Sequence, residues 1–202
     1  MRAIIFDIDG TLIESMSVDT ELYFSAIREV LGQVRIRDKL SEYRHVTDSG
    51  ILAQLLDDNG FSPDHETLRQ VRSVFVRGIG EYIETEGPFT AIEGAVQFFE
   101  NVRNRSDCHV AIATGGWRAS ALLKLESSGF PVDGVPLATS DDSASRVEIM
   151  RSALDQAGDD ISTVTYFGDA EWDRRACNDL GWEFVAVGPD LGGIESYVDV
   201  RL

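Results

Sequence analysis

The sequence predicts an α/β protein: a parallel sheet covered by helices on both faces, with a smaller all-helical unit inserted after the first strand. Three observations carry this reading. Short continuous apolar runs, as shown by strands buried on both faces, recur along the chain. Helical periodicity fills the intervals between most of them, as the crossovers of a parallel sheet require. Residues 15–88 break the alternation, because their apolar spacing is helical throughout and no strand of comparable quality interrupts it.

The first strand is Ala3-Ile4-Ile5-Phe6. The inserted region follows, with helical stripes at Leu22, Phe24, Ile27, Val30 and Leu31, then Ile51, Leu52, Leu55 and Leu56, then Leu68, Val71, Val74 and Phe75. Loops at Gly60-Phe61-Ser62-Pro63 and Glu86-Gly87-Pro88 separate and close these helices. Val96, Phe99 and Val102 share one face of a helix over Ile92 to Val102. A strand at Val110 to Ala113 leads to a helix at Ala119 to Leu125, stopped near Gly129. A weaker strand at Val135 to Thr139 precedes a helix from Ser145 to Ala157, ending at Gly158. The strand Thr163 to Phe167, a helix from Trp172 to Leu180 ending at Gly181, and the strand Phe184 to Val187 complete the order. The expected division is a catalytic core of residues 1–14 and 89–202 and a helical unit of residues 15–88.

At 202 residues with 43% hydrophobic content, the chain has the material for one domain with an insert. Its 18 Lys+Arg against 35 Asp+Glu give a formal net charge of −17. That field repels nucleic acid and anionic lipid surfaces, so neither is an expected partner. It repels an anionic substrate equally, and a phosphate site here needs local positive charge, most simply a bound cation. Cys108 and Cys177 stand far apart without a CxxC partner and read as thiols in a reducing compartment. No run approaches a membrane span, and only four apolar residues precede the first acid, so no secretory signal is expected. The expectation is a cytoplasmic monomer or weak homodimer.

The acids fall where buried strands end. The first strand runs into Phe6-Asp7-Ile8-Asp9-Gly10-Thr11, the second into Ala113-Thr114-Gly115-Gly116, and the fourth into Phe167-Gly168-Asp169-Ala170-Glu171-Trp172-Asp173. Ligands of open parallel sheets bind outside the carboxyl ends of the strands, so these segments converge on one crevice. Three carboxylates packed together repel one another and cannot all stay ionised unaided. Mg²⁺, which prefers carboxylate oxygens, waters and phosphate, resolves that repulsion and attracts a phosphate. A lone Asp-Gly pair is more often a turn, but Asp7, Asp9 and Asp169 together are not accounted for that way.

Phe6-Asp7-Ile8-Asp9-Gly10-Thr11-Leu12 resembles the first motif of the haloacid dehalogenase superfamily, and Thr114 and Gly168-Asp169-Ala170-Glu171-Trp172-Asp173 follow in the order that family shows. The resemblance covers most of the chain. It implies a Rossmann-like core with an α-helical cap and the activity of a phosphatase of the phosphoglycolate phosphatase-like kind. Asp7 would be the nucleophile that carries an aspartyl-phosphate. Asp9 would be the general acid and then the base, which requires the chain to curl directly after Asp7, as Gly10 permits. Asp7 and Asp169 would bind Mg²⁺ with the backbone carbonyl of Asp9, and Asp173 would support the metal. Thr114 and the N–H of Gly115, at the opening of the next helix, would hold a phosphate oxygen; Thr114 as a helix N-cap is the plainer reading.

One position departs from the family pattern. The lysine usual near the start of the helix after the third strand is absent from Asp141-Asp142-Ser143-Ala144-Ser145-Arg146, and the chain's two lysines are Lys39 and Lys124. Arg146 is the expected substitute, with a solvated pair to Asp142 as the alternative. Dehalogenases typically lack equivalents of Asp9 and Asp169, and a phosphonate-cleaving relative would need a Schiff-base lysine that surface-like Lys39 does not suggest. In the cap, His45, Thr47 and Asp48 are expected to face the site and select the substrate, although Thr47 or Asp48 also suits a helix cap. Arg35, Arg37, Lys39 and Arg44 read as a solvated face. Trp117 suits a pocket wall or the core equally, Trp172 is expected to pack outward, and Trp182 to join the core. Hydrolysis of a small phosphate monoester is the leading function. A phosphomutase of the same superfamily and a non-catalytic phospho-ligand-binding scaffold are the alternatives.

Overall fold

The computed structural model describes residues 1–62 and 64–202. A five-stranded parallel sheet organises the chain, in the spatial order β3-β2-β1-β4-β5. The strands are β1 (Arg2–Phe6), β2 (Cys108–Ala113), β3 (Leu137–Ala138), β4 (Thr163–Gly168) and β5 (Glu183–Ala186). Between β1 and β2 lie α1 (Met16–Leu31), α2 (Asp48–Asp58), α3 (His65–Glu86) and α4 (Ala95–Arg103). Helices α5 (Arg118–Ser127), α6 (Arg146–Ala157) and α7 (Glu171–Leu180) connect the later strands. The Rossmann-like α/β core expected from the sequence is therefore present. Pro63, in the expected loop at 60–63, lies outside the described residues.

Alternation along β1 sorts the two layers. Ile4 and Phe6 face a cluster with Phe98, Phe99 and Val102 of α4 and Leu125 of α5, while Ala3 and Ile5 face Ile149 and Met150 of α6 and Cys177 of α7. A parallel strand buried on both sides has no polar face, which is why β1 reads as an unbroken apolar run. Both cysteines are free and buried. Trp182 packs at the margin of the second cluster.

Three boundaries differ from expectation for local reasons. Strand β3 has two residues rather than five, because Pro136 has no N–H and the Thr139 amide turns to Asp142 Oδ2 at 2.8 Å. Helix α4 starts at Ala95, after Gly94 takes a left-handed φ of 75°. Helix α5 starts at Arg118 and not at Gly115, so Gly115 lies ahead of the helix rather than opening it.

Helices α1–α3 pack on the α4/α5 side. Helix α3 runs against α1 and reaches α5, and buried Tyr23, Leu52, Phe75 and Ile79 belong to the same apolar cluster as Phe6 and Trp117. Trp117 is thus core, wedged between Tyr23 and Phe75 at centroid distances of 5.6 and 5.9 Å. Among the described residues no helix is long and apolar enough to cross a membrane.

An aromatic knot fixes the carboxyl end of β1. Phe6 stacks on Phe167 of β4 at 5.0 Å and meets Phe98 edge-on at 6.1 Å. Tyr197 covers Phe98 and Phe167, and its hydroxyl donates to the Thr11 carbonyl at 3.0 Å. Phe6→Ala is expected to cost about 3–5 kcal/mol by opening a cavity in this knot, read as a lowered urea midpoint at unchanged slope. A cost below about 1 kcal/mol would mean that the surrounding rings collapse onto the gap.

Candidate active site

The strand order reverses between β1 and β4, and the crevice opens at that point. The Asp7 amide extends the ladder by donating to the Phe167 carbonyl at 2.9 Å, and regular pairing then stops. The amides of Thr11, Leu12 and Ile13 all turn back to the Ile8 carbonyl at 2.8–3.1 Å. This curl needs Gly10, whose φ is +75° and whose position leaves no space for a Cβ beside the Asp169 carboxylate. The curl expected after Asp7 is therefore present, and it frees Asp9 from the alternation of a straight strand.

Asp7, Asp169 and Asp173 each turn one carboxylate oxygen into a group whose members lie within 4.8 Å of one another. Asp173 comes from the first turn of α7, is fully buried, and has no hydrogen-bond partner on either carboxylate oxygen. Arg146, the first residue of α6, enters the same space. Its Nη1 donates to Asp7 Oδ1 at 3.2 Å, its Nε lies 3.3 Å from Asp173 Oδ1 at an angle that makes no hydrogen bond, and its Nη2 donates to the Val46 carbonyl at 3.3 Å. The alternative pairing with Asp142 does not form, since Asp142 accepts from the Thr139 amide and from Arg118. Gly115 makes room for the guanidinium: a Cβ there would sit 2.8 Å from Arg146 Nη2.

Burial pushes the Asp7 carboxyl well above the usual carboxylate range; Arg146 pulls it down, and Asp173, Asp169 and Asp9 push it further up. Burial and Asp173 raise Asp169 to about 7. Burial also raises Asp173, against the pull of Arg146. One guanidinium does not neutralise three carboxylates. The unpartnered oxygens of Asp173 and the all-oxygen donor set suit a hard divalent cation.

Thr114 is buried at the end of β2 and is not the N-cap of α5, a place Trp117 takes. Its Oγ1 accepts from the Gly116 amide at 3.1 Å, which leaves the hydroxyl proton free to donate. From the helical segment, Thr47 and Asp48 reach the crevice and His45 does not; His45 faces adjoining depressions. Thr47 is also the N-cap of α2, accepting from the Gly50 amide at 3.1 Å. Asp48 Oδ2 accepts from the Trp117 amide at 2.8 Å. Arg37 pairs with Asp58 away from the crevice, as a solvated face does. Trp172 lines the crevice instead of packing outward, because the first turn of α7 faces the opening.

The crevice also contains groups not anticipated from the sequence. Asp19 and Tyr23 line it, and beneath them lies Lys124, 1% exposed, with Nζ 2.5 Å from Asp9 Oδ1 and 2.5 Å from Asp19 Oδ1. Ser15 Oγ donates to the same Asp9 Oδ1 at 2.5 Å. The available signal was helical spacing: Lys124 shares the buried stripe of Ala121 and Leu125, and Asp19 lies one turn before Tyr23.

The site places acids and one arginine at the carboxyl edge of a parallel α/β sheet, and the family comparison says to which class such a chain belongs. Residues 1–181 match the family model of the haloacid dehalogenase-like hydrolases, and the chain belongs to that family. A hydrolase from Pseudomonas syringae superposes with a TM-score of 0.72 at 20% identity, covering 92% of this chain and 84% of that one. A β-phosphoglucomutase from Clostridium difficile gives 0.70 at 16% identity, with the same coverage of 92% and 84%. A protein from Lactobacillus plantarum assigned as a phosphoglycolate phosphatase gives 0.62 at 18% identity, covering 92% and 85%. No protein of curated function matches the sequence.

The raised Asp169 carboxyl makes a signed prediction. Its folded value of about 7 lies above the ordinary 3.8, so the stability it contributes is full below about pH 4 and is lost as the pH rises through 7. In EDTA, Asp169→Asn is therefore expected to raise the melting temperature more at pH 8 than at pH 5. An equal gain at both values would remove Asp169 from the set of electrostatically strained acids.

Proposed function

We propose that the protein is a magnesium-dependent phosphatase that hydrolyses a small-molecule phosphate monoester through an aspartyl-phosphate on Asp7. The observation that carries the reading is the convergence of Asp7, Asp169, Asp173 and Arg146 at one strand end, with the Asp9 carboxyl across the curl. Asp7 and Asp169, with the Asp9 carbonyl, would hold Mg²⁺, and Asp173 would support it. The ion would neutralise the acids and polarise the phosphoryl oxygens.

The chain's own groups perform the steps. An Asp7 carboxylate oxygen attacks phosphorus while the bond from phosphorus to the ester oxygen breaks, and Asp9 gives that oxygen a proton. Water then attacks the phosphorus of the aspartyl-phosphate, Asp9 takes the water's proton, and inorganic phosphate leaves as the Asp7 carboxylate is restored. The Arg146 guanidinium and the Thr114 hydroxyl hold phosphoryl oxygens through both steps, with the Gly115 N–H as a further donor. The helical segment of residues 15–88 acts as the cap that shields the reaction from water.

The cap side of the crevice narrows the substrate. Asp19, Tyr23, Phe24, Leu40 and Asp48 line it, whereas Arg146, the cation among the described lining residues, stands on the phosphate side. A second phosphate or a carboxylate on the leaving group would meet no free cation there among the described lining residues, because Lys124 beneath is already paired with Asp9 and Asp19. This disfavours both a phosphoglycolate-like substrate and a mutase fed by a bisphosphate. Esters of uncharged or amine-bearing alcohols fit better.

Phosphate release from a panel of esters should require Mg²⁺, stop in EDTA, and rank uncharged alcohol esters above phosphoglycolate. Asp7→Asn should lower the rate on the order of 10³-fold or more with the fold intact; comparable activity in that variant excludes Asp7 as nucleophile. Arg146→Ala should lower kcat/KM on the order of 10²–10³-fold, and wild-type kinetics would assign the phosphate contact elsewhere. Isomerisation of a sugar phosphate that requires a sugar bisphosphate and releases no net phosphate would favour the mutase.

A further inference from the structure

We infer that Lys124 is a positioning residue for the proposed general acid, holding one oxygen of Asp9 so that the other is presented to the leaving group. The inference rests on the phosphatase reading above and adds to it a residue that neither the acidic motifs nor the family match marks. Lys124 occupies the buried stripe of α5 between Ala121 and Leu125, where an apolar side chain would pack at lower cost. A lysine 1% exposed is tolerated there only if its charge is paired. Two carboxylates pair it: Asp9 from the curl after β1 and Asp19 from α1, each 2.5 Å from Nζ.

The geometry at Asp9 is one-sided. Lys124 Nζ and Ser15 Oγ both donate to Oδ1. Asp9 Oδ2 instead lies on the Gly116 side, 4.0 Å from where a Cβ on that residue would be, a point 3.6 Å from the Thr114 Oγ1 and 3.8 Å from Asp48 Oδ2. With Oδ1 held by two donors, the carboxyl plane is set, and Oδ2 is the oxygen left to carry a proton toward the ester oxygen. Asp19 completes the arrangement by tying the lysine to α1, so the acid's orientation depends on how the helical segment is seated on the core.

A lysine that only ties α1 to α5 would affect every substrate alike. A lysine that orients the acid matters in proportion to how much protonation the leaving group needs. Phenyl phosphate and p-nitrophenyl phosphate separate the two cases, because they have nearly the same shape but p-nitrophenolate departs without a proton far more readily than phenolate.

The test uses the full chain with Mg²⁺ and compares wild type, Lys124→Met, and the double variant Lys124→Met/Asp19→Leu. The double variant removes the ion pair as a unit and protects the experiment if the single variant does not fold. The expected result is a loss in kcat on the order of 10²-fold for phenyl phosphate and less than about 10-fold for p-nitrophenyl phosphate, with the Asp9→Asn variant showing the same bias. Equal losses on both esters, or no loss on either, overturn the role of Lys124 while leaving the phosphatase reading in place. A wild-type protein that hydrolyses neither ester, nor any member of the wider panel, overturns that reading and this inference with it.

Discussion

Arg146 reaches Asp7 and Asp173 from the first turn of α6, and the acidic end of the sheet is assembled around that guanidinium. Burial works against its charge, but Asp173 and Asp7 outweigh burial and hold the guanidinium charged. The surroundings are shaped to admit it. Gly115 leaves it the space of a side chain, and Gly168 leaves Asp173 the same, since a Cβ there would lie 2.9 Å from the Asp173 side chain. Three carboxylates and one guanidinium are left unequally matched, and an all-oxygen donor set of that kind suits a hard divalent cation. On the proposed reading, a net charge of −17 and a phosphate substrate would be compatible because positive charge is concentrated at one point.

The sheet and the acids were legible because each follows from a short-range rule. An unbroken apolar run such as Ala3 to Phe6 means a strand buried twice, and Asp7 directly after it means an acid at the strand's carboxyl end. The same logic reached Asp169 and Thr114. It failed where position depends on three dimensions. Trp172 reads as one aromatic in a polar helix start, yet the angle at which α7 leaves β4 turns it into the crevice. His45 and Asp48 lie three residues apart in one polar stretch, and only the turn into α2 separates the one inside from the one outside. Lys124 and Asp19 are 105 residues apart, so each looks like a stray charge on its own helix until the two are seen to face one another.

A single apolar cluster runs from the face of the sheet through Trp117 into α1 and α3. Trp117 makes this continuity possible, because its ring packs on Tyr23 and Phe75 while its amide holds Asp48 and its indole N–H donates to Ser49 Oγ at 2.9 Å. The wall of the crevice is thereby built from both parts of the chain and seated on shared core. The acidic residues on that wall, Asp19 and Asp48, are each raised by burial, Asp19 to about 6.

Tyr197 donates to the Thr11 carbonyl and lies against Phe98 and Phe167, and so braces the loop that carries Asp7 and Asp9 from nearly two hundred residues away in sequence. During synthesis the order is the reverse of what the site needs: the first strand and its acids emerge before their counter-charge at Arg146, and the brace after both. The central strand must wait without either neighbour in the sheet while the helical segment is already complete. Contacts so remote in sequence make for slow closure, so the loop that carries Asp7 and Asp9 takes its final form only once Tyr197 is in place.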